Sequence, residues 1–206
     1  MTDKMTPIIL ASASAIRAHL LHQAGLDFTV IPARIDESAI KTEGLEVGVS
    51  AAAMAEKLAW MKALAVSRNH PHALVIGCDQ MLEVEQNGPG IWLDKPTDLA
   101  QARQQILLLS GCEHSLYSAA VLVQDGQRLW SQCERVRLTM NRLSNAEIDH
   151  YLERAGVDLI HSVGAYQIEG LGIRLFSKIE GDYFAILGIP LLPMLKFLRE
   201  SGRIEL

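Results

Sequence analysis

The first apolar run of the chain is short and leads directly into small polar residues. Residues 7–11 read Pro-Ile-Ile-Leu-Ala and are followed by Ser12, Ala13 and Ser14. A short run with β-branched residues that ends in a Ser-rich turn predicts a buried strand. Apolar residues then recur at helical spacing, with Ser14 available as N-cap and Gly25 as the end signal. The chain therefore opens with a strand, a turn and a helix.

The pattern next predicts a short strand, a long helix and a second buried strand. Residues 28–31 fit the short strand, and a polar loop around Asp36 and Glu37 precedes a helix over 49–67. Residues 73–78 are continuously apolar, which is typical of a strand buried on both faces. This strand would place Asp79 and Gln80 at its C-terminal edge, where open α/β sheets bind ligands.

Two turn signals predict antiparallel hairpins in the middle of the chain. The first is the Asn-Gly-Pro-Gly sequence at 87–90, and the second is Asp125-Gly126, whose loop could be two residues or longer. The runs expected to pair are 81–85 with 91–93, and 116–123 with 129–140.

Further helices are predicted after each hairpin. Thr97 is expected to cap a helix that ends near residue 110, and Ser144 with Glu147 has the spacing of a capping box for a helix to about residue 154. Residues 162–188 contain several glycines, and their secondary structure is ambiguous. The pattern at 191–201 predicts a final helix. Together these elements predict an α/β fold with a mixed, twisted sheet flanked by helices.

Length and charge limit the classes of function. The 206 residues fit a single domain over 1–206, and the composition is that of an ordinary globular chain. A net charge of -5 argues against nucleic acid as a partner, since backbone binding needs a surplus of Lys and Arg. A small anionic ligand in a local basic pocket remains open.

Cysteine usage and hydropathy predict a cytoplasmic protein without a membrane partner. Cys78, Cys112 and Cys133 form no CxxC pair, so a disulfide framework is not expected. Residues 1–6 are polar and charged and lead into an apolar stretch that is too short for a signal peptide. Residues 186–198 contain two prolines and a lysine and are too short for a membrane span.

The turn after the first strand is a candidate anion site. Ser12, Ser14 and Arg17 lie where a helix N-terminus presents free amides, and a guanidinium can bind phosphate through two parallel hydrogen bonds. The alternative is a capped helix that carries a surface arginine, and these residues alone leave both interpretations open.

A second set combines carboxylates with lysines: Asp36, Glu37, Lys62, Asp79 and Lys95. Each alone would usually be a solvated surface charge. Asp79 differs, because a carboxylate that directly follows six strand residues needs a cation or a hydrogen-bond partner. Phosphoanhydride hydrolysis requires carboxylates that hold Mg²⁺ or orient water, and cations that neutralise the leaving pyrophosphate.

Other nucleotide-binding and hydrolytic motifs are absent from the sequence. It contains no GxxxxGK, and Gly164, Gly170 and Gly172 lack dinucleotide-binding spacing. There is no HExxH, no zinc-type Cys/His cluster and no GxSxG around His161 and Ser162. Kinase-like, dehydrogenase-like, zinc-dependent and serine-hydrolase functions are therefore disfavoured.

Taken together, these segments resemble the Maf family of nucleotide pyrophosphatases over nearly the whole chain. The matching residues are 9–14 with Arg17, 35–37, 58–63, 76–80, Lys95-Pro96, 109–111 with His114, 164–166 with Glu169-Gly170, and 187–191. The resemblance implies an inosine-triphosphatase-like fold with two lobes around a deep cleft, and hydrolysis of a nucleoside triphosphate to the monophosphate and pyrophosphate. It also allows a homodimer.

The resemblance assigns roles to individual residues. Ser12, Ser14, Arg17, Lys95 and Gln80 would bind the substrate, chiefly its phosphates. Glu37, Lys62 and Asp79 would be catalytic. Asp79 would accept the proton of water, and Asp79 and Glu37 would hold Mg²⁺ or Mn²⁺.

Two departures from the family pattern bear on the substrate. Ala15-Ile16-Arg17 keeps one arginine where many members have Pro-Arg-Arg, and Asp79-Gln80 with Glu169 looks like the branch that acts on 7-methyl-GTP. A Glu169 carboxylate could accept hydrogen bonds from guanine N–H groups, which motivates a purine preference. Two alternatives stay open: a nucleotide-binding regulator of division or septum formation with little turnover, and a phosphate scavenger that releases orthophosphate.

Overall fold

The computed structural model describes residues 6–86 and 88–205. The chain folds into two compact units, each built from separate segments. Unit 1 comprises Met1–Gln80, Ser118–Glu134 and Tyr183–Leu206, and unit 2 comprises Met81–Tyr117 and Arg135–Asp182. The predicted single domain and the cleft between lobes stay predictions.

Helices and strands alternate in the first half of the chain, and antiparallel strands dominate the middle. The strands are β1 (Ile8–Leu10), β2 (Thr29–Val30), β3 (Leu74–Gln86), β4 (Gly88–Leu93), β5 (Glu113–Gln124), β6 (Gln127–Met140) and β7 (Phe176–Glu180). The α-helices are α1 (Ala15–Gln23), α2 (Glu37–Glu46), α3 (Ala51–Ser67), α4 (Leu99–Leu109), α5 (Asn145–Ala155), α6 (Tyr183–Ile186) and α7 (Leu191–Glu200). Short 3₁₀ helices cover Val157–His161, Val163–Ala165 and Leu171–Leu175.

The strands of the described residues form one mixed sheet. Its order is β2-β1-β3-β5-β6-β7, and β4 pairs with β3. In unit 1, β1 is parallel to β2 and β3, with Leu10 opposite Val30 and Ile76. In unit 2, β4 is antiparallel to β3 and β7 is antiparallel to β6. The predicted α/β class with a mixed sheet flanked by helices is confirmed.

The strand that carries Asp79 is longer than predicted. The expectation that Asp79 and Gln80 lie at its C-terminal edge is wrong, because β3 continues to Gln86. The run at 81–85, predicted as a separate strand, is the second half of β3 and pairs with β4 as expected. Pairing with β4 extends the ladder beyond the apolar run. The turn predicted at 87–90 is wrong for 88–90, which are the first residues of β4, and Asn87 lies outside the described residues, as do residues 1–5 of the predicted polar N-terminus.

The loop predicted around Asp36 and Glu37 ends at Asp36, and helix α2, which was not predicted, follows it. Asp36 is the N-cap of α2, and its carboxylate accepts a hydrogen bond from the Ala39 amide at 3.0 Å. Glu37 is therefore the first residue of a helix. This helix buries only Gly44, so it lacks the apolar periodicity from which a helix is predicted.

The cap of α4 is displaced by one residue from the prediction. Asp98, not Thr97, is the N-cap, and its carboxylate accepts from the Gln101 amide at 2.7 Å. The Gln101 side chain in turn accepts from the Thr97 amide. Either residue type can cap a helix, and here the Asp98 carboxylate satisfies the first-turn amide.

The remaining predicted elements agree with the structure. The Asp125-Gly126 turn has two residues with positive φ, as expected of a tight hairpin. The capping box of Ser144 and Glu147 is present at α5, and α7 closes the chain. The ambiguous region 162–188 contains two of the 3₁₀ helices, β7 and α6. No helix in the described part of the chain combines the length and apolar character needed to cross a bilayer.

Candidate functional site

The turn between β1 and α1 has the predicted geometry of a capped helix start. Ser14 is the N-cap, and its hydroxyl accepts from the Arg17 amide at 3.5 Å. The Ser14 amide donates to the buried Ser12 hydroxyl at 3.3 Å. The two serines therefore support the turn from within, while the α1 N-terminus presents a positive dipole end there.

Arg17 is a half-buried side chain held against this turn. Its Nε donates to the Gly188 carbonyl at 2.8 Å, and Nη1 donates to Ser12 Oγ at 3.2 Å and to the Cys78 carbonyl at 3.0 Å. Its Nη2 donates to no residue that the structure describes. The guanidinium is thus fixed on one side and keeps Nη2 available for an anion.

Close contact between α3 and β3 positions the charged centre. A Cβ on Gly77 would lie 2.0 Å from the Ala59 carbonyl oxygen and 2.8 Å from Ala63 Cβ. Only glycine allows the helix and strand to approach this closely. The approach brings Lys62 of α3 against Asp79, two residues beyond Gly77 on β3.

The charged centre is one ammonium between two carboxylates. Lys62 Nζ lies 2.5 Å from Asp79 Oδ1 and 2.8 Å from Glu37 Oε1. Lys62 and Asp79 are 9% and 5% exposed, whereas the Glu37 side chain is 42% exposed. The three charges leave one negative charge uncompensated, so the centre favours an additional cation on its Glu37 side.

The donor set fits a divalent cation that is completed by substrate. Among the described residues, no three His, Cys, Asp or Glu side chains converge on a metal site. Mg²⁺ usually takes one or two carboxylates and completes its shell with water and substrate phosphates. Glu37 and Asp79 supply that number of carboxylates.

Gln80 is fixed by its side-chain nitrogen. Its Nε2 donates to Ser118 Oγ at 2.8 Å, the Ala185 carbonyl at 3.1 Å and the Ile186 carbonyl at 3.0 Å. Ser118 is fully buried. The amide nitrogen of Gln80, predicted to face substrate, is therefore engaged with unit 1.

Cys78 lies beside Asp79 in surroundings that do not favour a nucleophilic thiolate. It is fully buried, and burial raises the pKa of its thiol to about 11, a rise that Arg17 and Lys62 only partly oppose. The reactive thiolate is therefore disfavoured near neutral pH.

The predicted site residues divide between the two units. Unit 1 holds Ser12, Ser14, Arg17, Glu37, Lys62, Asp79 and Gln80. Within it, the structure joins Glu37, Lys62 and Asp79 in one cluster and Arg17 with Ser12 in another. Lys95 and Glu169 are exposed residues of unit 2.

Three contributors to the site were not predicted from the sequence. They are the Gly188 and Cys78 carbonyls, which accept from Arg17, and Ser118, which accepts from Gln80. A backbone carbonyl leaves no residue-type signal. The glycine at 188 is a partial clue, since its φ of 95° is a conformation that favours glycine.

Comparisons with known proteins identify relatives over nearly the whole chain. A family profile described as "Maf-like protein" matches residues 7–201. The nucleoside triphosphate pyrophosphatase of Rhodospirillum rubrum is 48% identical over 202 residues, which is 98% of each chain. The 7-methyl-GTP pyrophosphatase of Mesorhizobium japonicum is 48% identical over 205 residues and 100% of each chain. That of Rhizobium johnstonii is 48% identical over 202 residues, 98% of this chain and 100% of the relative. With the profile and the relatives both spanning nearly its full length, this chain belongs to the Maf family.

Proposed function

We propose that this chain is a nucleoside triphosphate pyrophosphatase, a hydrolase that releases a nucleoside monophosphate and pyrophosphate. The observation that carries the proposal is the buried Lys62 ammonium between Glu37 and Asp79, in the same unit as the Arg17 guanidinium. The names of the relatives in Rhodospirillum and Mesorhizobium support the same activity.

The proposed reaction is a direct displacement by water. Asp79 takes a proton from a water molecule while the oxygen of that water bonds to the α-phosphorus. The bond between the α-phosphorus and the α,β-bridging oxygen breaks, and pyrophosphate leaves. Lys62 and Arg17 offset the negative charge that develops on the phosphate oxygens, and Ser12 and Ser14 maintain the turn that faces them. Lys95 would add a further phosphate contact.

The proposed cofactor is Mg²⁺ or Mn²⁺, held by Glu37 and Asp79. Such an ion would supply charge neutralisation for the leaving pyrophosphate. Lys62 contacts one oxygen of each carboxylate, Asp79 Oδ1 and Glu37 Oε1, so the second oxygen of each would hold the ion. Glu37 is the more exposed of the two carboxylates.

The proposed substrate is a purine nucleotide, with 7-methyl-GTP the first to test. Relatives of both names are equally similar to this chain, at 48% identity. The exposed Glu169 carboxylate offers the acceptors that a guanine edge requires. Faster turnover of UTP or dTTP than of GTP and 7-methyl-GTP would contradict this choice.

Product analysis tests the activity. We expect pyrophosphate and monophosphate from wild type with Mg²⁺, and at least about a hundredfold less from Asp79→Asn, which keeps the shape but removes the base. Asp27→Asn, at an exposed position of unit 1, is the matched control and should retain activity. Orthophosphate as the product would indicate the scavenger alternative, and bound, intact triphosphate would indicate the regulator.

The quaternary state is a proposal from the family resemblance, and the location is a proposal from the cysteine usage of the chain. We propose a homodimer in the cytoplasm. Light scattering of the purified chain would contradict the dimer if it gave a mass near the 22.7 kDa of one chain.

A further inference from the structure

Backbone carbonyls within residues 185–188 accept hydrogen bonds from side chains in three distant parts of unit 1. The Ala185 carbonyl accepts from Ser118 Oγ at 2.5 Å and from Gln80 Nε2 at 3.1 Å. The Ile186 carbonyl accepts from the same Nε2 at 3.0 Å. The Gly188 carbonyl accepts from Arg17 Nε at 2.8 Å. One short segment thus joins Gln80 and Ser118 to the anion-binding arginine.

The chemistry of these groups fixes the orientation of the Gln80 amide. Carbonyl oxygens only accept, so the atom of Gln80 that faces Ala185 and Ile186 must be the nitrogen. The Ser118 hydroxyl donates to Ala185 and accepts from Gln80, which uses both of its capacities. Both polar groups are satisfied by this arrangement, and Ser118 is fully buried.

A hydrogen bond between the backbones of Gly188 and Ala185 couples the position of the Gly188 carbonyl to that of Ala185. The Gly188 amide donates to the Ala185 carbonyl at 3.0 Å, so the turn after α6 is closed by the same oxygen that Gln80 and Ser118 hold. A Cβ on Gly188 would lie 3.0 Å from both Nε and Nη2 of Arg17. The guanidinium therefore rests directly on this turn, and a shift of the turn moves Nε and Nη2 together.

We propose that Gln80 and Ser118 are positioning residues for Arg17, acting through the turn at 185–188. On this account Gln80 influences phosphate binding without using its amide nitrogen on the nucleotide. The inference rests on the proposed function only in taking Arg17 as a phosphate ligand. The orientation of Arg17 can be measured without any turnover.

The first test is hydrogen exchange at Arg17 Nε, followed by NMR on the ¹⁵N-arginine-labelled full chain. The Arg17 signal is assigned by its disappearance in Arg17→Lys. Gln80→Met and Ser118→Ala should speed exchange of the Arg17 Hε about tenfold, because the loss of one or two hydrogen bonds loosens the turn. Unchanged exchange in both variants would overturn the proposal.

Matched controls come from the same unit. Gln124 also donates from Nε2 to a backbone carbonyl, that of His72, and the buried Ser67 also hydrogen-bonds backbone, at the Gly126 amide. Neither touches 185–188. Gln124→Met and Ser67→Ala should leave Arg17 exchange unchanged, and equal acceleration in these variants would show general loosening and overturn the proposal.

The second test separates positioning from direct contact by the affinity for inorganic pyrophosphate. Gln80→Met should weaken binding about tenfold in the wild-type background and have no effect in Arg17→Met, since the pathway runs through Arg17. Weakening that persists in Arg17→Met would mean that Gln80 binds the ligand itself, which overturns the proposal. If exchange behaves as expected but no nucleotide is hydrolysed, the proposed function fails and the positioning role stands.

Discussion

Two lysines of helix α3 have the same formal charge but differ in burial. Lys57 pairs with Glu43 at 3.2 Å, and its side chain is 36% exposed. Lys62 pairs with Asp79 and Glu37, and its side chain is 11% exposed. An exposed pair contributes little, whereas removal of one member of a buried pair leaves a charge that has lost its partner.

We therefore predict different outcomes for the same substitution at these two positions. Lys62→Met should lower the free energy of unfolding by about 3 kcal/mol and abolish turnover, because it leaves two neighbouring carboxylates without their cation. Lys57→Met should change stability by less than about 1 kcal/mol and keep turnover. Urea denaturation and product assays measure both, and equal destabilisation would contradict the burial argument.

At the residue scale, the sequence predicts the candidate site residues better than it predicts the residues that position them. Asp79 could be singled out because a carboxylate after six apolar strand residues needs a partner. Ser118 could not, because its importance depends on a contact with Gln80, 38 residues away, and with the Ala185 carbonyl, 67 residues away. Such contacts are created by the tertiary fold and leave no local pattern.

At the scale of elements, two candidate site residues, Arg17 and Glu37, lie in the first turn of a helix. Ser14 caps α1, three residues before Arg17, and Asp36 caps α2, directly before Glu37. The orientation of Glu37 toward Lys62 thus depends on the first turn of α2. This helix buries little apolar surface, so its cap is a large part of what holds that turn in place.

We predict that the Asp36 cap is needed for activity through its hydrogen bond and not its charge. Asp36→Ala should lower stability by about 1 kcal/mol and reduce turnover several-fold, whereas Asp36→Asn, which can still accept from the Ala39 amide, should retain both. Ser144→Ala removes the comparable cap of α5 in unit 2 and should cost similar stability with unchanged turnover. Parallel melting and rate measurements would refute this if Asp36→Asn behaved like Asp36→Ala.

Elements with a buried apolar face were the predictable ones. Helix α3 buries Met54, Leu58 and Ala59 on one side, and its predicted range differs from the observed one only at the start. Helix α2 has no such face and was predicted as a loop. The end of β3 was missed because pairing with β4 continues the strand past the apolar run that marks its first half.

A buried histidine makes the stability of the whole molecule depend on pH. His114 is fully buried in unit 2, its Nε2 lies 2.9 Å from Tyr166 Oη, and Nδ1 has no partner within the described residues. Burial lowers the pKa of His114 from 6.5 to about 4. The folded protein therefore favours the neutral ring, and the unfolded chain takes up the proton first as the pH falls.

We predict that this histidine contributes stability that is complete above about pH 6.5 and is lost as the pH falls towards 4. The pKa difference corresponds to about 3 kcal/mol of unfolding free energy. His114→Gln should remove this part of the pH dependence, while His72→Gln, at an exposed position, should keep it. Urea midpoints from pH 4.5 to 8 measure the difference, and parallel curves for wild type and His114→Gln would contradict the assignment.

The hydrogen bond from Arg17 to Gly188 also has a consequence for how the protein is made. It joins residues 171 positions apart in sequence, so the loop that it closes contains most of the chain. Helix α1 is synthesised well before the Gly188 carbonyl that orients its arginine. Contacts of such long sequence separation form slowly. A nascent chain therefore acquires its serine turn long before it acquires an oriented Arg17 guanidinium.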